Sequence, residues 1–464
     1  MLKTDYLVVG SGAVGMAFVD TLLSDTDSDI LIVDRFAKPG GHWNLAYPFV
    51  TLHQPSAFYG VASRELSTGG LDQTGLNKGL CSLATGDEVL SYFDRLMQER
   101  FLPSGRVRYF PMSEYLGNGR FVNVITGVEQ QVEFGRHVDA TYLKTSVPST
   151  HVPGFEIDSD VAFKPLNELP KIEEKPEGFV IIGGGKTGMD AVLWLLGNGV
   201  EPDDIRWVMP RDGWLIDRKN TQPDEAFFEF TLGSQAAQFE AIAAAENVDD
   251  LFDRLEKSGV LLRIDPTVKP TMFHGATISQ AELSELRRVK NVIRMGRVSR
   301  ISRDKIELAE GEVPTSPRVM HVDCSASAIS NLETKPIFQG DLITPQTVRS
   351  YQPVFSASLV AHVEATRDSE EEKNRLCGVV PLPNHDTDWI RMMIPFMMNQ
   401  YQWSRDPDLR PWLEGNRLDG FSGLVRNIDK DDTQKQDIMR RLRDASMPAM
   451  AKLQRFVAEL DTVS

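Results

Sequence analysis

The sequence contains few cysteines, and no two of them are close together. Cys81, Cys324 and Cys377 are the three cysteines among 464 residues, and no Cys-x-x-Cys or similarly close pair occurs. A redox-active dithiol needs two neighbouring thiols, so electron transfer through such a dithiol is excluded. The three cysteines and eight histidines also lack the spacing of a metal-ligand cluster, and no metal site is predicted.

Long hydrophobic runs are absent as well. No stretch of about 18 apolar residues occurs, as a membrane-spanning helix would require, and no leader with a charged start, an apolar run and small residues precedes the first apolar segment. The formal net charge of −16 argues against nucleic acid and anionic membranes as bulk partners, although a basic cluster of Arg211, Arg218 and Lys219 could bind a phosphate. We therefore expect a cytoplasmic protein.

Two glycine-rich loops are the most informative features that are present. Each follows a short apolar run and leads into a helix-like segment, in the order strand, tight turn, helix. The first glycine of such a loop permits the turn, the second lets backbone N–H groups approach a pyrophosphate, and the third lets the helix pack on the strand. Two such loops, about 170 residues apart, predict two dinucleotides and therefore a flavin paired with a nicotinamide.

The first loop has the features of an FAD site. It follows a predicted strand at Tyr6 to Val9, and the next apolar run, Ile30 to Val33, ends at Asp34, nineteen residues after Gly15. A carboxylate at that point accepts hydrogen bonds from a ribose with both hydroxyls free, such as the adenosine ribose of FAD. The alternative is a solvated acidic residue at a strand end. The predicted FAD contacts in this part of the chain are Gly10, Gly12, Ala13, Val14, Gly15, Asp34 and Arg35.

The second loop points to NADP. It follows a predicted strand at Phe179 to Ile182, and the strand after it, Ile205 to Met209, ends in Pro210-Arg211 instead of a carboxylate. A guanidinium there can hold the 2′-phosphate of NADP, so NADPH is favoured over NADH. The alternative is that Arg211 is an exposed turn residue and Asp212 binds the ribose. The predicted NADP contacts are Gly183, Gly185, Lys186, Thr187, Gly188 and Arg211.

These loops predict an α/β protein with two Rossmann-like dinucleotide-binding domains. Residues 1–165 are expected to form the first part of the FAD-binding domain, and residues 166–336 the NADPH-binding domain. Helical patterns at about 224–288 replace the compact strand–helix–strand spacing of such a domain, which indicates a helical insertion. Residues 337–464 are expected to return to the FAD-binding domain and to end in a mostly helical part.

The residues that follow Asp34 resemble those of one family. Gly40-Gly41-His42-Trp43-Asn44, Tyr47-Pro48 and Leu52-His53-Gln54-Pro55 are similar to the segment that wraps the flavin in class B flavoprotein monooxygenases, the flavin-containing and Baeyer–Villiger type. Lys186-Thr187-Gly188-Met189-Asp190 resembles the Asn-Ser-Gly-x-Asp of that family, and Val138-Asp139-Ala140-Thr141 resembles its Ala-Thr-Gly connector. The resemblance implies flavin contacts at Gly41, His42, Trp43, His53 and Gln54.

One motif of the family is not matched. Its fingerprint between the two loops, Phe-x-Gly-x-x-x-His, has its residue types in Phe134-Gly135-Arg136-His137 but not its spacing. The helical insertion also differs from the best-known members. The chain therefore resembles an outlying branch of the family.

The resemblance implies an FAD- and NADPH-dependent monooxygenase that uses molecular oxygen and acts through a C4a-(hydro)peroxyflavin on a small or medium apolar substrate. His53 and His42 are then the ionisable candidates for catalysis near the flavin, and a structural hydrogen-bonding role is the alternative for each. Two other functions stay open. One is an NADPH-dependent reductase that passes electrons to a quinone or a protein carrier, and the other is a non-enzymatic, redox-sensing flavoprotein.

A methionine-rich and aromatic stretch from Trp389 to Trp403 has two interpretations. Such adaptable side chains could line a substrate entrance. A stripe of this kind more often belongs to the core.

Overall fold

The computed structural model describes residues 1–66, 69–327 and 332–463. Residues 67–68, within the predicted FAD-binding domain, residues 328–331, within the predicted NADPH-binding domain, and residue 464 lie outside the described residues. The strands are β1 (Leu2–Val9), β2 (Ile30–Val33), β3 (Gly60–Val61), β4 (Arg64–Glu65), β5 (Val107–Phe110), β6 (Ser113–Gly117), β7 (Arg120–Asn123), β8 (Glu129–Asp139), β9 (Glu156–Ile157), β10 (Phe163–Pro165), β11 (Gly178–Ile182), β12 (Ile205–Val208), β13 (Gly213–Asp217), β14 (Leu261–Leu262), β15 (Met272–Ile278), β16 (Val292–Ile293), β17 (Val298–Ile301), β18 (Lys305–Leu308), β19 (Gly311–Pro314), β20 (Val319–Asp323), β21 (Phe338–Gln339) and β22 (Leu342–Ile343).

The helices are concentrated in the second half of the chain. They are α1 (Ala13–Asp25), α2 (Gly86–Leu96), α3 (Lys186–Gly197), α4 (Phe228–Ala244), α5 (Val248–Lys257), α6 (Gln280–Leu286), α7 (Pro353–Thr366), α8 (Glu370–Leu376), α9 (Asp388–Arg405), α10 (Leu409–Gly415), α11 (Ser422–Arg426) and α12 (Thr433–Val463). Within the described ranges, no helix combines the length and the apolar character needed to cross a membrane.

The first of two main sheets is built around β1. This strand pairs in parallel with β2 on one side and β8 on the other, and β5 extends the sheet beyond β2. All four residues of β2 are buried, as expected for a parallel strand that is covered on both faces. α1 packs against α7, where Thr21 Oγ1 lies 2.7 Å from Ser358 Oγ.

The second main sheet has the strand order β10-β20-β11-β12-β16, and all of these pairings are parallel. All five residues of its central strand, β11, are buried. Two smaller sheets adjoin it, β19-β18-β17-β9 and β14-β13-β15. The parallel sheets and flanking helices agree with the predicted α/β class.

Each main sheet carries one glycine-rich turn between a central strand and the helix that follows. Gly10, after β1, has a φ of 102°, and Gly183, after β11, has a φ of 133°. These values are readily adopted by glycine alone. A Cβ on Gly15 would lie 2.0 Å from the carbonyl oxygen of Gly10, and a Cβ on Gly188 would lie 2.1 Å from that of Gly183. No side chain fits between helix and strand in either turn.

The predicted helical insertion at about 224–288 contains strands as well as helices. α4, α5 and α6 lie there, but so do β14 and β15, which flank β13 in a three-stranded sheet. β15 is not predicted from the sequence, because six of its seven residues are buried and the alternation of apolar and polar residues is therefore absent.

The chain after residue 336 returns to the first sheet. β22 pairs in parallel with β8, and β21 pairs with β22. The remaining elements are the helices α7 to α12, which agrees with the prediction of a mostly helical C-terminal part. α12 packs against α4, where Arg441 and Glu240 form an ion pair at 2.7 Å.

Gly188→Ala should destabilise the protein, because the new Cβ would overlap the Gly183 carbonyl oxygen. We expect a loss of about 3 kcal/mol, the upper end of ordinary overpacking costs. Gly197→Ala is the control on the same helix, since no described atom lies within 4 Å of its Cβ, and it should leave the stability unchanged or slightly raised. Urea unfolding followed by circular dichroism measures both variants, and equal midpoints would contradict the close approach.

Candidate functional site

The amino end of α1 is open to a ligand. The helix begins at Ala13 with Gly12 at the cap position, no described side chain caps it, and its first turn contains no acidic residue. The N–H groups of this turn and the helix dipole therefore favour an anion. The sequence-predicted residues Gly10 and Val14 lie at this same helix end.

Asp34 lies at the carboxyl end of β2, beside this turn. Its carboxylate accepts hydrogen bonds from Ser11 N at 2.5 Å, from Ser11 Oγ at 2.8 Å and from Phe36 N at 2.7 Å. These bonds use three of about four lone-pair positions and leave one for a ribose hydroxyl. Asp34 therefore also orients the turn. Arg35 is exposed, with its guanidinium over the Phe36 ring.

The segment from Gly40 to Gln54, which we call the bridging segment, begins in contact with the first glycine-rich turn. Gly40 N donates to Ser11 O at 2.8 Å. Gly41 has a φ of 57°, and a Cβ on it would lie 2.9 Å from Gly12 Cα. The backbones of Gly41 and Gly12 are therefore in contact, which explains why glycine is required at position 41.

Trp43 and His42 lie in the short helix Gly41–Leu45. The indole N–H of Trp43 donates to Tyr59 Oη at 2.7 Å, and its ring belongs to the core beside the first sheet. The His42 ring stacks on Trp43 with ring centroids 5.3 Å apart, and burial lowers the pKa of His42 to about 4. His42 is therefore neutral at pH 7. A flavin contact by either residue stays a prediction.

The amino end of α3 is built like that of α1. It begins at Lys186 with Gly185 at the cap position, and its first turn lacks an acidic residue as well as a capping side chain from the described part of the chain. Gly183 forms the turn before it, and Thr187 lies in its first turn. Lys186 pairs with Asp190 one turn later, so part of its charge is neutralised within the helix.

The chain just beyond the carboxyl end of β12 carries positive charge. Arg211 Nη2 donates to Asn384 Oδ1 at 2.8 Å, and burial, followed by the positive charge of Arg297, lowers the pKa of Arg211. The carboxylate of Asp212 is held by Arg294, which donates to its two oxygens at 2.8 and 3.0 Å. Arg294 therefore orients the Asp212 carboxylate, which keeps acceptor positions, and the alternative in which Asp212 binds the ribose stays a prediction.

Arg297 is a candidate that the sequence analysis missed. It follows β16, which pairs in parallel with β12, and its exposed side chain lies near Arg211. The carboxyl ends of parallel strands meet at one edge of a sheet, where nucleotides bind. A basic residue two positions after the predicted strand Val292 to Met295 is the signal that could have identified it.

The bridging segment also contacts α3. Tyr47 Oη donates to Asp190 Oδ2 at 2.6 Å, and the Phe49 ring stacks on Trp194 with centroids 5.0 Å apart. The bridging segment therefore contacts the first glycine-rich turn through Gly41 and α3 through Tyr47. The two candidate nucleotide sites are joined through it.

His53 lies farther along the bridging segment. Its Nδ1 accepts a hydrogen bond from Thr277 N at 3.2 Å, which places the proton of the neutral ring on Nε2. Burial, followed by the positive charges of Lys186 and Arg218, lowers the pKa of His53 to about 3. At neutral pH His53 is therefore an uncharged Nε2–H donor.

Arg218 is not available to a phosphate, contrary to its expected place in a basic cluster. Its guanidinium is fully buried. It donates to His53 O and Asn77 Oδ1 at 3.0 Å each and to Thr277 O at 3.2 Å, and it pairs with Glu282 at 2.8 Å. Arg218 therefore attaches the bridging segment to the inserted region.

The three cysteines are buried and separate. Cys81, Cys324 and Cys377 are free, and burial raises the pKa of each thiol. In residues 1–66, 69–327 and 332–463, no group of histidine, cysteine, aspartate or glutamate side chains is arranged to hold a metal ion.

Comparisons with known proteins identify relatives of the chain and of its fold. No family model matches the sequence. Two uncharacterized proteins, from Mycobacterium tuberculosis and Mycobacterium bovis, are each 48% identical over 425 residues, which covers 91% of this chain and 79% of theirs. Among solved structures, an oxidized steroid monooxygenase bound to NADP gives a TM-score of 0.50 at 13% identity and covers 78% of this chain and 85% of that chain. A flavin-containing monooxygenase from Stenotrophomonas maltophilia gives 0.45 at 13% identity, over 82% and 100%.

The match to the steroid monooxygenase concerns the fold. The sequences are only 13% identical, so substrate and reaction do not transfer with it. At the level of the fold, the resemblance to class B flavoprotein monooxygenases is confirmed.

The lowered pKa of His53 predicts a pH-dependent stability. An unfolded histidine titrates near pH 6.5, whereas the folded pKa is about 3, so between these values the unfolded state binds more protons and the native state loses stability as pH falls. One such group contributes a slope of about 1.4 kcal/mol per pH unit at most.

His53→Gln should therefore remove about that slope between about pH 6 and 4, and His385→Gln, at an exposed position, should leave it unchanged. Urea unfolding at successive pH values measures the difference. Parallel stability profiles for His53→Gln and the unmodified protein would show that His53 is not held neutral.

Proposed function

We propose that this chain, which belongs to the same family as the two mycobacterial proteins, is an FAD- and NADPH-dependent oxidoreductase. More narrowly, we propose a monooxygenase that acts on a small or medium apolar molecule. The observation that carries the proposal is the pair of equivalent glycine-rich turns. Each leads to a helix end that no described side chain caps, and each lies at the carboxyl ends of parallel strands in one of the two main sheets. The fold shared with the NADP-bound steroid monooxygenase supports the same reading.

The first turn fits FAD. Around Gly12, the nearest described atom to an added Cβ is Gly41 Cα at 3.5 Å, so glycine keeps the helix end clear for a pyrophosphate on the N–H groups of Ala13 and Val14. Asp34 retains one acceptor position for the adenosine ribose. When bound, FAD supplies hydride acceptance from NADPH and, once reduced, reaction with oxygen.

The second turn fits NADPH. Gly183, Gly185 and the first turn of α3 form the pyrophosphate site. Arg211 and Arg297 would hold the 2′-phosphate, because a guanidinium can bind a phosphate with two parallel hydrogen bonds. Lys186 adds less than its full charge, since it pairs with Asp190.

The bridging segment brings these two sites together. Hydride transfer requires the two cofactors to be adjacent, and contacts at Gly41 and Tyr47 connect the two helix ends through a few residues. In this arrangement His53 donates from Nε2 to a cofactor or reacting oxygen as a neutral group. Trp43, which belongs to the core, and His42, which stacks on it, support the flavin side.

The proposed division of the chain places residues 1–165 and 337–464 in the FAD-binding unit, and the pairing of β22 with β8 supports the return of the chain to this unit. The sheets place the first boundary earlier than residue 165, because β9 pairs with β17 and β10 pairs with β20 of the second unit. Residues 166–336 form the NADPH-binding unit with the inserted region.

A reductase that passes electrons to a quinone is the second candidate. It is favoured by the position of Phe134-Gly135-Arg136-His137, which lies within β8. A Cβ on Gly135 would be 3.0 Å from Asp5 O in the neighbouring strand. These residues therefore build the first sheet and do not replace the family fingerprint between the domains.

Oxygen incorporation distinguishes the two candidates. The purified protein, with its FAD content measured from released flavin, is incubated with NADPH and ¹⁸O₂ in the presence of thioanisole or 2-decanone, which offer a nucleophilic and a carbonyl centre. We expect one ¹⁸O atom in the product per NADPH oxidised, with the second atom in water. Product without ¹⁸O, together with rapid NADPH-dependent reduction of menadione under nitrogen, would establish the reductase.

Arg211→Ala and Arg297→Ala should each raise the KM for NADPH and leave the KM for NADH within about twofold. Loss of a charged hydrogen bond costs about 1.5–3 kcal/mol, which corresponds to roughly 10- to 150-fold. Arg318→Ala is the control, because this exposed arginine precedes β20 at the opposite edge of the same sheet. Steady-state kinetics with both cofactors tests the assignment. Equal effects on NADPH and NADH would remove these residues from 2′-phosphate binding.

A further inference from the structure

Asn384 contacts Arg211 from the C-terminal part of the chain. Its Oδ1 accepts hydrogen bonds from Arg211 Nη2 at 2.8 Å and from His274 Nε2 at 3.0 Å. A guanidinium has donors only, so the atom that faces Arg211 is the amide oxygen, and Nδ2 is the donor that remains. Burial lowers the pKa of His274, so its ring is neutral at pH 7. The orientation of the Asn384 amide is therefore fixed.

The Nδ2 of Asn384 is free to bind a ligand. It has no acceptor in the part of the chain that the structure describes. Asn384 is half-buried and lines a crevice of about 570 Å³. Unlike the buried unpaired nitrogens of Trp214 and Arg349, its Nδ2 is accessible to solvent. A ligand oxygen can therefore reach this donor.

Arg211 has unused donors close to this amide. Among its three nitrogens only Nη2 has an acceptor in the described residues. Because the oxygen and nitrogen of a carboxamide are about 2.3 Å apart and Oδ1 lies 2.8 Å from Arg211 Nη2, Asn384 Nδ2 lies within about 5 Å of that nitrogen. Donors at such a separation can bind oxygens of one phosphate group.

The charge around Arg211 favours an anion. Burial and then the positive charge of Arg297 lower the pKa of Arg211, whereas the carboxylate of Asp388 raises it. Asp388 Oδ2 already accepts hydrogen bonds from two backbone N–H groups, at 2.8 and 2.9 Å. Two guanidinium groups are therefore opposed by one carboxylate that is itself hydrogen bonded.

The backbone holds Asn384 in place from two sides. On one side, Asn384 O accepts from Phe273 N at 3.3 Å, and His385 pairs with Met272 at the start of β15. On the other side, the N–H groups of Asn384 and His385 donate to Asp388, the first residue of α9. The amide is thus preorganised, which lowers the cost of binding.

The helix that follows is anchored in the core. Trp389, Met392 and Met393 of α9 are buried between the inserted and C-terminal regions. These residues of the methionine-rich stretch therefore belong to the core, which is one of the two interpretations drawn from the sequence. They also line a cavity of about 630 Å³ where the two regions meet. Packing of α9 in this way keeps the segment that carries Asn384 in position.

We propose that Asn384 is a specificity-determining residue of the coenzyme site, in which its Nδ2 donates a hydrogen bond to the 2′-phosphate that Arg211 binds. The C-terminal part of the chain then completes a site on the second main sheet. This inference rests on the proposed NADPH-dependent function. A 2′-hydroxyl in place of the phosphate is uncharged and forms a weaker hydrogen bond with the same donor.

Isothermal titration calorimetry with NADP⁺ and NAD⁺ tests this residue, because the two molecules differ only in the 2′-phosphate. Asn384→Ala should weaken NADP⁺ binding roughly tenfold or more, the effect of one lost hydrogen bond to a charged group, and NAD⁺ binding by no more than about threefold. Asn384→Asp keeps the size of the side chain but replaces the donor by a negative charge. It should weaken NADP⁺ binding more than Asn384→Ala does.

Asn118→Asp is the matched control. It adds the same charge at an exposed position in the β6–β7 hairpin of the first sheet and should change the binding of neither coenzyme. Equal weakening of NADP⁺ and NAD⁺ binding by Asn384→Ala would show that Asn384 only supports the local structure, and this would overturn the proposal.

The same titrations separate this proposal from the proposed function. If the unmodified protein binds NAD⁺ as tightly as NADP⁺, the NADPH assignment is overturned and this proposal with it. If the unmodified protein prefers NADP⁺ and both Asn384 variants keep that preference unchanged, this proposal alone is overturned.

Discussion

The close approach of helix to strand at each glycine-rich turn is the constraint on which the site depends. The third glycine of each turn lies so near the carbonyl oxygen of the first that a Cβ would be 2.0 or 2.1 Å away. This contact holds α1 and α3 at the carboxyl edges of their sheets, where no side chain of the described residues caps their first N–H groups. Asp34 and Arg211 then stand beside these helix ends, because each follows the next parallel strand.

The bridging segment converts two separate helix ends into one site. It rests on Gly12 through Gly41, hydrogen bonds Asp190 through Tyr47, and ends near His53. Burial governs its chemistry, since it lowers the pKa of both His42 and His53 and leaves them neutral near pH 7. The buried Arg218 fastens this segment to the inserted region. The positive charge of Arg218 therefore has a structural role.

The inserted region and the C-terminal helices add a cavity with largely apolar walls. α4 packs on α12, and side chains of α4, α9 and α12 line the cavity. The segment that carries Arg349 and Tyr351 precedes α7, which itself packs on α1. The cavity is therefore connected through α7 to α1, the helix that begins at the first glycine-rich turn. These elements are far apart in the chain.

The sequence by itself determined the two glycine-rich turns, the strands β1, β2 and β11, and the mostly helical end of the chain. It also determined that the segment from Gly40 to Trp43 resembles class B flavoprotein monooxygenases. Glycine spacing and apolar runs are local properties, so they can be recognised without the structure. It could not identify β15, which is buried on both faces and therefore lacks alternation. Only the tertiary structure decided which cations are free. Arg218 is paired with Glu282, and Arg297 lies near Arg211. Arg349 Nε has no acceptor among the described residues. Burial and pairing of this kind arise between segments that are far apart in the chain.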